Sequence, residues 1–280
     1  MPATPPHDGI AIYYDVHGGT AGRDAPLLLI SGTGHDRHFW AGQVPPFSAE
    51  FRTVVFDNRG VGKSSVPKPG YSLADMADDA ARVLDAAGAE RAHVMGFSMG
   101  GHIAQELTLN HPDRVASLGI HHSWARNSPR LRDFQATRRQ LAALDQRIAL
   151  AEISMLALHS HDYYNAHAEK MAAHRAFLLE QSPVNAGWIG QLDACLAGDT
   201  YDRLPNIAVP TLVTCSDLDI IAAPHHAREI AGRIPGATLI EMQGTGHVAL
   251  MERPDDFAAL CLDFLRQQRS GATPPAQPGV

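Results

Sequence analysis

The residues best suited to chemistry lie in Gly96-Phe97-Ser98-Met99-Gly100-Gly101, between a strand-like apolar run ending at Met95 and a helix-like segment beginning at Met99. A serine at such a turn needs small residues two positions to either side, so that strand and helix can approach, and the turn then pushes the hydroxyl out of the sheet. A purely structural glycine turn is the plainer alternative; the strand before and the helix after weigh against it. A serine hydroxyl is a weak nucleophile, so a base must take its proton and a third group must hold that base. Both are available. Ser216-Asp217-Leu218-Asp219 follows the apolar run 211–215, and Gly244-Thr245-Gly246-His247 follows the run 237–241. Each sits at the carboxyl end of a strand, the edge where open parallel sheets form sites. Of sixteen histidines, His247 is set apart by its glycine-flanked loop. Ser98, Asp219 and His247 occur in the chain order that a serine on a strand–turn–helix elbow requires, with Asp217 as the rival acid.

Positioning these groups takes a framework of alternating strands and helices. The segment 10–17 is strand-like, and the apolar runs 26–30 and 53–56, each stopped by a glycine turn, read as strands buried on both faces. The segment 39–50 is a weak helical pattern broken by Pro45-Pro46, and 72–87 is a strong one, with Ser72 and Asp75 as an N-cap pair and Gly88 as its end. Strand 93–95, helix 99–110 and strand 115–120 continue the alternation, which implies a parallel sheet covered on both faces. From 121 to 204 the pattern is helical, including 131–158 and 161–180. Strands 211–215 and 237–241 and helices 224–234 and 254–268 then resume the alternation. The expectation is an α/β core formed by 1–120 and 205–269, a helical insertion over 121–204, and a flexible Pro/Gly/Ala-rich tail over 270–280.

Composition narrows the function classes. A chain of 280 residues with 45% hydrophobic and 19% charged residues can bury a large core and is neither disordered nor a coiled coil. A net charge of −7 argues against nucleic-acid binding. Cys195, Cys215 and Cys261 make a poor disulfide framework, and neither a secretory signal nor an 18-residue apolar stretch is present. A soluble cytoplasmic protein is expected, with a small-molecule substrate, no membrane or nucleic-acid partner, and a homo-oligomer left open.

Other candidate motifs lead elsewhere. Gly60-Val61-Gly62-Lys63-Ser64 imitates the end of a phosphate-binding loop, but Asp57 stands where its first glycine is required. His159, His161 and His167 with Asp162 lack metal-ligand spacing and read as a solvated helix face. His121-His122 suits pocket lining or core packing equally. Among the tryptophans, Trp124 stands where the core hands over to the insertion and is expected to touch substrate.

Over residues 9–268 the chain resembles the α/β-hydrolase-fold family. The resemblance rests on the nucleophile turn, on Asp57-x-Arg59-Gly60-x-Gly62-x-Ser64, on Ser216-x-x-Asp219 where the family usually has Gly-x-x-Asp, and on Gly246-His247 followed by Glu252-x-Pro254. It implies a mostly parallel twisted sheet with helices on both faces, and it selects Asp219 over Asp217. It makes the insertion similar to the family's cap, which roofs the pocket. An oxyanion hole must supply backbone N–H groups where carbonyl charge develops. Met99, next after the nucleophile at a helix N-terminus, is one expected donor. Thr33 in the first βα turn is the other; the family commonly has His-Gly there and this chain has Ser31-Gly32, which removes an imidazole that usually braces the loop. The implied chemistry is hydrolysis of a small-molecule ester or lactone, as in the esterase and enol-lactonase branches, with no cofactor and no metal. A carbon–carbon bond hydrolase acting on vinylogous diketones is the alternative enzyme. A small-ligand receptor of the same fold is the alternative outside enzymes.

Overall fold

The computed structural model describes residues 2–19, 25–181 and 186–269, so the expected flexible tail over 270–280 lies outside the described residues. Seven strands form one sheet: β1 (Tyr14–His17), β2 (Leu27–Ile30), β3 (Thr53–Phe56), β4 (Ala92–Phe97), β5 (Val115–His121), β6 (Thr211–Ser216) and β7 (Thr238–Met242). Their spatial order is β1-β3-β2-β4-β5-β6-β7, with β1 antiparallel to β3 and all other neighbours parallel. The inner strands β2, β3, β4 and β6 are buried at every position, which is why their sequences run apolar without alternation. The edge strand β7 is only partly covered.

The helices are α1 (Val44–Ser48), α2 (Leu73–Ala86), α3 (Met99–Asn110), α4 (Pro129–Ala143), α5 (Arg147–Leu158), α6 (His161–Ala166), α7 (Ala168–Gln181), α8 (Ala186–Ala197), α9 (Pro224–Arg233), α10 (Ala249–Glu252) and α11 (Pro254–Arg269). α2 and α3 cover one face of the sheet, and α1 and α11 the other, where Phe257 of α11 meets His121 of β5 with ring centroids 5.0 Å apart. The N-terminus of α2 is a reciprocal cap: Asp75 N donates to Ser72 Oγ, and Ser72 N to Asp75 Oδ2. Gly88, at φ +66°, ends the turn that follows.

Three local expectations are corrected. The pattern over 39–50 resolves into a 3₁₀ turn (Arg37–Trp40) and the short α1, in whose first turn Pro45 sits; proline opens that helix rather than breaking it, because first-turn N–H groups have no intrahelical acceptor. The pattern over 131–158 is two helices, turned between α4 and α5 where Asp145 adopts φ +51°. That over 161–180 is α6 and α7, interrupted at His167, whose Nδ1 lies 3.0 Å from Tyr163 O. Both breaks occur in sequence with good helix propensity, so local preference does not mark them.

Helices α4 to α8 all lie between β5 and β6 in the chain. Gln191 of α8 ties them to the sheet: its Oε1 accepts from Gly34 N at 2.8 Å, and its Nε2 donates to Arg59 O at 2.9 Å. Gly187 and Gly60 pass so closely that a β-carbon on Gly187 would stand 2.1 Å from Gly60 O. The strand order reverses direction between β2 and β4, so the carboxyl ends of these two strands open a crevice at the switch point. Residues Gly32 to Thr33 and Ser98 lie there. Among the described residues no helix is long and apolar enough to cross a membrane.

Candidate active site

Ser98 joins β4 to α3 with φ +55° and ψ −119°, a conformation that a non-glycine residue holds only when its surroundings enforce it. They do so through hydrogen bonds on both sides. Ser98 N donates to His121 O at 2.9 Å, and Ser98 O accepts from Gly101 N at 2.9 Å and Ser123 Oγ at 2.7 Å. The flanking glycines are steric necessities: a β-carbon on Gly96 would lie 2.0 Å from Gly100 O, and one on Gly100 would lie 2.2 Å from Ile30 O. Strand, helix and the loop after β2 can therefore converge on the serine only without side chains at these positions.

Asp219 and His247 reach the same point from β6 and β7. His247 Nε2 is 3.1 Å from Ser98 Oγ, and His247 Nδ1 is 2.7 Å from Asp219 Oδ2. The other carboxylate oxygen of Asp219 accepts from Ile221 N at 2.8 Å and Ala222 N at 3.0 Å. Burial favours the protonated acid, but the charge and hydrogen bond of His247 together with these N–H groups hold the carboxyl below its ordinary value. An ionised Asp219 fixes the proton on Nδ1 and leaves the Nε2 lone pair facing the Ser98 hydroxyl. Asp217 is exposed and points elsewhere, accepting from Gly244 N at 2.7 Å and so holding the loop that carries His247.

A cavity lies over Ser98. Gly32, Thr33, Ser98, Ile221 and His247 form its floor; Phe134, Arg138, Ser154, Leu158 and Trp188 come from the inserted helices. Thr33 is buried, with its Oγ1 3.6 Å from Cys195 Sγ. Met99 opens α3, where backbone N–H groups have no intrahelical acceptor. Ser31 is engaged in bracing: its Oγ donates to Asp36 O at 3.1 Å and its carbonyl accepts from Asn58 Nδ2 at 3.0 Å. An imidazole returns four residues later, where His35 Nδ1 lies 3.1 Å from Thr33 O.

The tryptophan expectation is corrected. Trp124 is buried against His102 on α3, ring centroids 5.9 Å apart, while Trp188 of α8 lines the cavity. Gly34 makes the latter possible, since a β-carbon there would stand 2.1 Å from the Trp188 ring. His159 is also corrected: it is buried, 3.5 Å from Glu252 Oε1, and lies on no solvated face. His121 and His122 are core residues. His121 Nδ1 is 2.9 Å from Thr214 Oγ1.

Sequence reasoning missed the supports behind the site. His122, at φ +50°, places Nε2 2.7 Å from Ser216 Oγ, which is 2.7 Å from Thr245 Oγ1, so β5 and the loops bearing Asp219 and His247 are joined in one buried network. Nothing in a His-His pair at a strand end signals this. Glu252 accepts from Gly246 N at 3.2 Å, Ser160 N at 2.7 Å and Ser160 Oγ at 2.7 Å, linking the His247 loop to the start of α6. The Asp57 loop, by contrast, is structural as its sequence suggests, with Arg59 as a brace: Asp57 takes Arg37 Nη1 at 2.8 Å and Lys63 N at 2.8 Å, and Arg59 bonds Asp79 at 2.6 Å.

The family model described as the alpha/beta hydrolase fold matches residues 25–254. The chain is similar to RutD of Caulobacter vibrioides, named a putative carbamate hydrolase, with 32% identity over 91% of this chain and 95% of that protein. Among solved structures it is similar to an enol-lactonase from Burkholderia xenovorans LB400, with 30% identity, a TM-score of 0.87, and coverage of 95% of this chain and 100% of that one. It is also similar to Est816, described as an N-acyl homoserine lactone degrading enzyme, with 30% identity, a TM-score of 0.80, and coverage of 94% and 100%. With this match across both halves of the sheet and the helices between them, the chain belongs to the α/β-hydrolase family and is a hydrolase of that fold.

Proposed function

We propose that this hydrolase cleaves a small-molecule carboxylic ester or lactone through an acyl-enzyme on Ser98. The observation that carries the reading is the unbroken chain from Ser98 Oγ through His247 to Asp219, 3.1 Å and 2.7 Å long at its two links, at the floor of the cavity. Ser98 Oγ attacks the carbonyl carbon as its proton passes to His247 Nε2, and Asp219 stabilises the imidazolium that results. The N–H groups of Met99 and Thr33 take the oxyanion, and His247 returns the proton to the departing alkoxide. Water, deprotonated by His247, then attacks the acyl carbon and releases the acid and free Ser98. All of this uses the chain's own side chains and backbone.

The names of the similar proteins support the substrate class, since an enol-lactonase and a homoserine-lactone-degrading enzyme both open small cyclic esters. The test compares kcat/KM for a short acyl ester, a five-membered lactone, a small carbamate and a vinylogous diketone, each beside Ser98→Ala. Preference for ester or lactone, lost on removing the hydroxyl, is the expected result. Preference for the diketone would move the enzyme to carbon–carbon cleavage with the same three residues.

A further inference from the structure

The wall of the cavity holds a cation that the acyl-transfer chemistry does not use. Arg138 projects from α4 into the space above Ser98, with its guanidinium carbon 5.5 Å from the Phe134 ring centroid and 5.4 Å from that of Trp188. The side chain is half-buried; among the described residues its buried Nε has no hydrogen-bond partner and no carboxylate pairs with it. The adjacent Arg139 shows the contrast, since it takes Asp193 at 2.8 Å. The ionisable neighbours of Arg138 do not neutralise it. Burial pushes the Cys195 thiol up to about 12 and the His35 imidazole down to about 3, so both are uncharged at neutral pH. Burial also brings the Arg138 guanidinium down to about 10, which leaves it a cation there.

A half-buried cation without a counter-ion is an unusual feature of a cavity wall, since such groups are normally paired. Two aromatic rings hold this one in place, so its donors are oriented before any ligand arrives. Carboxylate is the anion that a single planar guanidinium matches, by two parallel hydrogen bonds. We propose that Arg138 is a specificity residue that binds a carboxylate on the substrate, away from the scissile carbonyl, so that the preferred ester or lactone is a monoanion. This rests on the acyl-enzyme reading of Ser98.

Two isosteric pairs test it. Monomethyl glutarate against methyl 5-methylhexanoate places the charge on the acyl side; 4-acetoxybutanoate against 4-methylpentyl acetate places it on the alcohol side. In at least one pair the charged member is expected to have kcat/KM about 10- to 100-fold higher, the range for hydrogen bonds to a charged group. The difference should appear in KM, because such a contact is made in ground and transition states alike. In Arg138→Met the charged-to-neutral ratio collapses toward one, and Arg138→Lys keeps part of it. No preference in either pair, or a ratio that survives Arg138→Met, overturns the proposal; a purely structural role would lower both members together and leave the ratio intact. Binding to Ser98→Ala, followed by NMR titration, separates this from the acyl-enzyme reading. If the charged ester binds more tightly there, and the advantage vanishes in Ser98→Ala/Arg138→Met, Arg138 recognises carboxylate whatever the fate of the ester.

Discussion

Acid should unfold this protein well before its carboxylates protonate. His102, His121 and His122 are fully enclosed, and burial pushes each imidazole down to about 3. In the unfolded chain each returns to about 6.5. Between these values the unfolded state binds more protons, so stability is fully present above pH 6.5 and falls as pH drops from 6.5 toward 3. At pH 5 each site costs about 2 kcal/mol relative to neutral pH, and the three together about 6 kcal/mol, of the order of a whole domain's stability. His102 isolates the effect, because neither of its ring nitrogens has a partner among the described residues. His102→Leu replaces an unsatisfied imidazole with an apolar group and at pH 7.5 should stay within about 1 kcal/mol of wild type. At pH 5 it should gain about 2 kcal/mol on wild type. Equilibrium urea unfolding followed by tryptophan fluorescence, in steps from pH 7.5 to 5, measures both curves. Parallel curves for the two proteins would refute the reasoning, since they would mean that His102 takes up no extra proton on unfolding.

Other perturbations have equally definite outcomes. Asp219→Asn can keep its bonds from Ile221 N and Ala222 N through Oδ1, but its amide donor would face His247 Nδ1 and impose the wrong tautomer; kcat should fall about 10³- to 10⁴-fold with little change in melting temperature. Gly100→Ala places a β-carbon 2.2 Å from Ile30 O, and urea unfolding should show a loss of about 3 kcal/mol as the loop after β2 is pushed off the elbow. Asp57→Ala removes a fully buried carboxylate from Arg37, itself 3% exposed. That should cost about 3–5 kcal/mol, again by urea unfolding.

How much of this was legible depends on the range of the forces involved. Strands β2, β3 and β6 are visible as apolar runs because burial on both faces acts residue by residue. Ser98, Asp219 and His247 are visible because each follows a strand, in a turn whose glycines or acids are local signals. The break at Asp145 is not visible, since the residues around it suit a helix and only the packing of α4 against α5 and α8 requires the turn. The cavity wall is hidden for the same reason. Arg138 and Trp188 are fifty positions apart on different helices, and their meeting over Ser98 follows from how α4 and α8 lie on the sheet. Trp124 misled because nearness in sequence to the core strand placed it in the core instead.

Whether Ser98 carries the acyl group is read by mass spectrometry of the quenched enzyme, intact and after digestion. A short p-nitrophenyl ester is mixed with the enzyme, quenched in acid during the first turnover and digested. One acyl group per chain is expected, on the peptide containing Ser98, with a burst of p-nitrophenol of matching amplitude and neither signal in Ser98→Ala. Turnover without any adduct, or an adduct on another residue, would contradict it.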